Sequence, residues 1–209
     1  MTRVEVHDVA TGLWLWRVEH PAWQPDFEFE PLVASTFVES GGETLVLDPL
    51  ATPDGASEVW ERLDASPPTV VVVLKPDHVR DVDLFVRRYR ARAFGSWLFW
   101  RDDIPETELE PVQPGMELPG GLVALYDGGR DHETPLWLPE QRALVFADGL
   151  TAPGGKLRVW ASQWHEERIL PALHALLELP FEHVIVSHGE PVHSRDAYKR
   201  ALELPTWNG

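Results

Sequence analysis

Four polar clusters in this 209-residue chain each stand directly after a short apolar run. They are Lys75-Pro76-Asp77-His78-Val79-Arg80-Asp81 after Val70 to Leu74, Asp127 to Thr134 after Leu122 to Tyr126, Asp148-Gly149 after Ala143 to Ala147, and Ser187-His188-Gly189 after Val184 to Val186. The runs read as β-strands, and the carboxyl ends of strands in α/β layers are where rigid elements hold polar side chains within reach of a ligand. Carboxylates and imidazoles gathered there can hold a divalent ion or move protons. Lysine and arginine among them can instead neutralise the carboxylates, arginine with bidentate geometry. Singly, each cluster is also what a solvated turn looks like. Their order along the chain is the specific feature.

The elements that position them follow from hydrophobic patterning. Gly12 to Val18 reads as a strand with apolar side chains on both faces. Ala22 to Pro31, with three acids, three aromatics and two prolines, reads as an irregular surface loop whose aromatics either line a pocket mouth or, the favoured reading, lie against the sheet. Ala34 to Glu39 and Glu43 to Leu47, joined through Gly41-Gly42, form a hairpin closed by Asp48-Pro49. Ser57 to Ala65 is a helix with Ser57 as its N-cap. Val82 to Ala93 is a second helix whose outer side carries Arg87, Arg88, Arg90 and Arg92, a solvated face balancing nearby carboxylates. Ala93 to Trp100 is a short strand, and Arg101 to Pro119 a connecting loop. Leu136 to Leu138 and Ala143 to Phe146 make a second hairpin. Trp164 to Leu179 is the most regular helical pattern, with Pro171 as a local irregularity, and Arg195 to Leu204 is a terminal helix. Hairpins alternating with helix-then-strand units fit one domain over residues 1–209, a mixed sheet or sandwich flanked by helices.

Composition narrows the chemistry. Eighteen basic against 34 acidic residues give a net charge of −16, a poor match to a phosphate backbone, so nucleic acid is not expected as a partner. The absence of cysteine excludes disulfides, thiolate nucleophiles and cysteine-ligated zinc. Any metal must be held by His, Asp or Glu. The N-terminal residues lack the apolar core of a signal peptide and no run approaches the length of a membrane span, which points to a cytoplasmic protein with no membrane partner. Ser187 has no nucleophile-elbow context, and Gly128-Gly129 and Gly154-Gly155 lack the flanking pattern of a phosphate loop.

Taken in order, these residues resemble the metallo-β-lactamase-fold superfamily over nearly the whole chain. Thr36 to Asp48 is similar to that family's opening hairpin, Val70 to Phe94 to its strand, metal-binding loop and helix, Leu136 to Asp148 to the hairpin ending in the metal-bridging aspartate, and Val184 to Val192 to the strand before the last histidine ligand. The resemblance implies an α/β fold, a four-layer αββα sandwich of two mixed β-sheets flanked by helices. It also implies one or two zinc, iron or manganese ions that activate water for hydrolysis, though some relatives do redox chemistry. The family's His-x-His-x-Asp-His motif is absent. Anchored on the helix at Leu84, the motif's positions fall on Lys75, Asp77, Val79 and Arg80, and the next histidine on Glu133, while Asp148 and His188 match. A shift of one or two residues puts His78 on a ligand position instead.

The expectation is a hydrolase-type fold whose dinuclear site is eroded and replaced by a Lys/Arg–carboxylate cluster, with no cofactor. Catalytic candidates are Asp77, His78, Arg80, Asp148 and His188. Lys75 and Arg80 would bind a small anionic or carbonyl-bearing molecule, and Arg80 would repel an ion. The alternative keeps one divalent ion (zinc, manganese or iron) on Asp148, His188, Glu133 and either Asp77 or His78, with slow hydrolysis. A third reading is a non-enzymatic module in which Trp97 to Trp100 supply a homodimer surface. His132, beside Glu133, is either a substitute ligand or, the favoured reading, a surface-turn histidine. His7, His20, His165, His174, His183 and His193 are surface or core histidines without convergent partners.

Overall fold

Strand pairing starts earlier than the long apolar runs suggest. Strand β1 (Val4–Ala10) alternates Val4 and Val6 with Glu5 and His7 and pairs antiparallel with β2 (Leu13–Glu19) across a tight turn. A computed structural model describes residues 3–53, 56–96, 98–99, 104–126 and 132–208. The first sheet runs in sequence order: β1, β2, β3 (Leu32–Ser40), β4 (Glu43–Leu47), β5 (Val70–Val72), β6 (Arg92–Gly95) and β7 (Glu110–Pro111). Pairings are antiparallel through β4 and parallel thereafter. The second sheet has the order β13-β10-β9-β8, from β8 (Val123–Ala124), β9 (Leu136–Leu138), β10 (Ala143–Phe146) and β13 (His183–Val186), with β10 and β13 parallel. A two-stranded ribbon, β11 (Leu150–Thr151) with β12 (Arg158–Val159), lies beyond Asp148.

Two-sided burial explains the sequences of these strands. Leu13, Leu15, Val70 and Val72 face Leu136, Leu138, Val145 and Ile185 in the core between the sheets. Trp14, Trp16, Val71 and Val73 face outward, under Val59 and Leu63 of helix α1 (Ser57–Ala65) and Val82 and Phe85 of α2 (Val82–Tyr89). On the far side, Leu144, Phe146, Val184 and Val186 lie beneath Leu173 of α3 (Leu170–Ala175) and Tyr198 and Ala201 of α4 (Arg195–Glu203). The layers are therefore helix, mixed sheet, mixed sheet, helix. Among the described residues no helix is long and apolar enough to cross a membrane.

Several local expectations are corrected. Ser57 is the first helical residue of α1; Ala56 holds the cap position, with no side-chain hydrogen bond. Helix α2 ends at Tyr89, short of the expected Ala93, because Arg90 turns left-handed (φ 56°). The segment from Trp164 to Leu179 is the least regular helix here. The amides of Ile169 and Leu170 both reach five residues back, to Trp164 and His165, forming a π-type turn. Pro171 has no N–H to donate to Glu167, so the normal ladder cannot pass through it. Trp97, Trp100 and residues 127–131 lie outside the described residues.

Arg17, only 3% exposed, ties the sheet edge to the loops above it. It pairs with Glu5, its cross-strand partner (3.1 Å), with Glu190, and with Glu30 (3.7 Å). The carboxylates keep part of their hydration, so Arg17→Met is expected to cost about 1–3 kcal/mol, below the ~3–5 typical of a fully buried pair. Urea denaturation at pH 7 measures it, and a change within about 0.5 kcal/mol would rule it out.

Candidate functional site

The site forms where strand ends of both sheets meet. The loop after β5 brings Lys75, Asp77, His78 and Arg80, the turn after β10 brings Asp148, and the turn after β13 brings His188. All six line one cavity of about 560 Å³, together with His20, Asp26, Phe27, Glu28, Phe29 and Trp160. Phe27 and Phe29 thus border the cavity, the less favoured of the two readings of that loop. The loop carrying them is closed by the His20 amide donating to the Pro31 carbonyl (2.9 Å) and by Trp23 Nε1 donating to the Phe29 carbonyl (2.8 Å).

Asp48 organises the floor. At the end of β4 its backbone is left-handed (φ 45°), a strained conformation for a non-glycine residue. One carboxylate oxygen accepts from the Leu74 amide (2.7 Å), and the other lies 2.8 Å from His78 Nδ1. That contact aims His78 Nε2 at Asp148 Oδ1, 3.4 Å away, while His188 Nε2 approaches the same oxygen at 3.0 Å. Neither contact has hydrogen-bond geometry, and Oδ1 is buried without a hydrogen-bond partner. The other oxygen, Oδ2, meets Lys75 Nζ at 2.7 Å, and the same ammonium meets Asp77 Oδ2 at 2.6 Å. Lys75 therefore stands between two carboxylates. Burial works against its charge, but Asp148 and Asp77 outweigh burial and hold it above the usual lysine range.

Charge in the cluster is tightly coupled. Burial pushes the Asp148 carboxyl up, yet His78, His188 and Lys75 around it hold it well below the usual carboxylate range. His78 is opposed by burial and by Arg80, but Asp148 and Asp48 raise it to about 9. Burial lowers His188, with Asp148 offsetting only part of the effect.

Two expected placements change. Arg80 borders the cavity, but its guanidinium donates to the Ala34 and Asp48 carbonyls (both 2.8 Å) and to Ser187 Oγ (2.6 Å), stitching β3, β4 and the β13 turn together. It is committed to backbone support rather than held out for a substrate. Glu133 does not join the histidines. It is fully buried, its Oε1 accepts from the Ala147 amide (2.7 Å), and burial with the neighbouring Asp148 charge pushes it up to about 8. Its role is to hold the turn that presents Asp148. Of the choice between Asp77 and His78, it is His78 that meets Asp148 and His188. Val79 packs in the outer core.

Sequence reasoning missed Asp48, and it set aside His20, which borders the cavity. The signal for Asp48 was present: an aspartate ending a buried strand beside Val70 to Leu74. Histidines read as isolated also have neighbours, since His183 and His193 approach Nδ1 to Nδ1 at 2.9 Å and His7 lies 3.6 Å from both Glu5 and Glu190. His132 is exposed and lies away from the cavity.

His78 Nε2, Asp148 Oδ1 and His188 Nε2 suit one divalent ion. Their ligand atoms lie within 4.8 Å of one another. The 3.0 and 3.4 Å separations bracket the roughly 3.3 Å between ligands on a tetrahedral ion with bonds of about 2.0–2.1 Å. The Asp48 carboxylate behind His78 is the customary outer partner of a ligating imidazole. The Asp77 side is different, because a lysine ammonium fills it.

No protein-family description matches this chain, and no curated protein matches it. Solved structures do. The DIM-1 metallo-β-lactamase superposes with a TM-score of 0.70 at 14% identity, covering 98% of each chain. VMB-1 superposes at 0.74 and 14% identity, covering 98% of this chain and 97% of its own. A metallo-β-lactamase family protein from Thermus thermophilus superposes at 0.67 and 18% identity, covering 94% of this chain and 79% of its own.

Proposed function

We propose, from the premise that the chain has the metallo-β-lactamase fold, that it is a hydrolase with one divalent ion, the lysine ammonium taking the place of a second. The observation that carries this reading is Asp148, a buried carboxylate with one oxygen on Lys75 and the other facing two imidazoles without a hydrogen bond. His78, Asp148 and His188 would hold the ion. Bound there, it supplies Lewis acidity and lowers the pKa of a coordinated water. A neighbour in fold, the FIM-1 metallo-β-lactamase from Pseudomonas aeruginosa, was crystallised in a mono-zinc form.

The chain's own residues do the rest. Lys75 fixes Asp148 so that only one oxygen faces the histidines, and its ammonium is placed to stabilise negative charge developing on a carbonyl or phosphoryl oxygen. Asp77, about a third exposed and bordering the cavity, is the carboxylate positioned to take a proton from water. Phe29, with its ring centroid 4.4 Å from that of His188, and Trp160, at 5.2 Å, exclude solvent from that imidazole.

Zinc titration of untagged, chelator-stripped protein tests this, with His188→Ala and His78→Ala beside it. The expected result is one ion per chain and at least a 100-fold loss of affinity in either variant, together with hydrolysis of small carbonyl or phosphate esters that chelation abolishes. A protein that takes up no zinc, manganese or iron at micromolar concentration refutes it. That outcome would favour a second reading, a metal-free scaffold in which a charged His78 bridges Asp48 and Asp148.

A further inference from the structure

We infer that the mouth of this cavity is a subsite for an organic ammonium group, so that the preferred substrate carries a cation at one end and the hydrolysable carbonyl or phosphoryl group at the other. The hydrolysable end rests on the reading above. The cationic end rests on separate observations.

The fixed cations of the cavity are already engaged. Lys75 is shared between Asp77 and Asp148, and Arg80 is spent on two carbonyls and a hydroxyl. Both belong to the floor, at the strand ends. The wall toward solvent comes from the loop between β2 and β3, where Asp26-Phe27-Glu28-Phe29 places two carboxylates and two aromatic rings on the same cavity. Phe27 is 39% exposed, a large apolar face left at the rim, with its centroid 5.4 Å from that of Phe29. Phe29 continues inward to His188, so rings line the path from rim to floor. An aromatic face attracts a cation through its quadrupole, and nearby carboxylates add to that attraction while opposing an anion. A volume of about 560 Å³ accommodates a small molecule that spans both ends.

A choline ester is the simplest probe of this geometry. Its hydrolysis consumes water at the ester carbonyl, breaks the acyl–oxygen bond and releases a carboxylate, a proton and choline. In calorimetry on chelator-stripped protein, choline is expected to bind about 5–30-fold more tightly than its uncharged isostere 3,3-dimethylbutan-1-ol, the range a desolvated cation–π contact provides. Asp26→Asn and Phe27→Ala, both at the rim, are each expected to shrink that ratio at least threefold. With zinc restored, kcat/KM for acetylcholine is expected to exceed that for 3,3-dimethylbutyl acetate by a similar factor. Equal binding of choline and the isostere, or a ratio unchanged in both variants, overturns the inference. Hydrolysis of the two esters at equal rates overturns it too and leaves the hydrolase reading intact. Discrimination by the stripped protein without hydrolysis of either ester supports the cation subsite and refutes the hydrolase reading alone.

Discussion

Gly189→Ala is expected to destabilise the protein by about 3 kcal/mol or more, because two independent costs fall on one position. Gly189 has φ +124°, a conformation that L side chains rarely adopt. A Cβ there would stand 2.4 Å from the Ala152 carbonyl oxygen and 2.6 Å from its carbon, both backbone atoms. No rotamer change relieves such a contact. The two backbones are held together by the Ala152 amide donating to the His188 carbonyl (2.8 Å) and by Thr151 Oγ1 donating to that same carbonyl (2.9 Å). Relief therefore means pulling β11 away from the turn that presents His188, so on the proposed metal-binding reading zinc affinity is expected to fall at least tenfold along with stability. Gly42 is the internal control. It is also left-handed (φ +80°), yet a Cβ there meets nothing within 4 Å, so Gly42→Ala is expected to cost only about 1 kcal/mol. Denaturation of the two variants side by side decides the matter, and equal losses would mean that the Ala152 contact yields more easily than its geometry implies.

The same turn illustrates how far the sequence can be read. Strands buried on both faces announce themselves as apolar runs, so β2, β5, β10 and β13 and the Gly41-Gly42 hairpin are legible from patterning alone. The two-residue strands β7, β11 and β12 are not, because runs that short carry no period to read, whereas β8 lies within the Leu122 to Tyr126 run that reads as a strand. The π-type turn at Trp164 to Leu170 was half-legible. Pro171 marked a break, but only the neighbouring packing decides whether a helix kinks, ends or widens there. Within the site, Asp148 and His188 could be found because each directly follows a buried strand. Arg80 could not be placed, since its three partners are two carbonyls and a hydroxyl far along the chain. A guanidinium read against the nearest carboxylates was in fact recruited by backbone. Phe27 and Phe29 sit on a loop with no period to read, and a few long-range hydrogen bonds fix which way it folds.

Lys75→Met is the second large effect, and its sign can be worked out from the charges it leaves behind. Methionine matches the lysine stem in length, so the packing of a side chain only 4% exposed is kept while the ammonium is removed. Asp77, about a third exposed, recovers hydration. Asp148, with 11% of its side chain exposed, does not, and keeps only His78 and His188. The expected loss for chelator-stripped protein at pH 7 is about 3 kcal/mol, the lower end for breaking a buried pair because one of the two carboxylates can resolvate. Lys75 is held above its ordinary value, so its contribution is fully present below about pH 10.5 and is lost as pH rises through its folded-state pKa. Asp148 is held below its ordinary value, so its contribution is present above about pH 3.8 and is lost as pH falls through its folded-state pKa. The gap between wild type and variant is therefore expected to be flat from about pH 5 to 9 and to close at both extremes. Urea denaturation across that range reads it directly. A gap that stays constant as pH rises past about 10.5 would assign the loss to packing and remove the ammonium from its place between the two carboxylates.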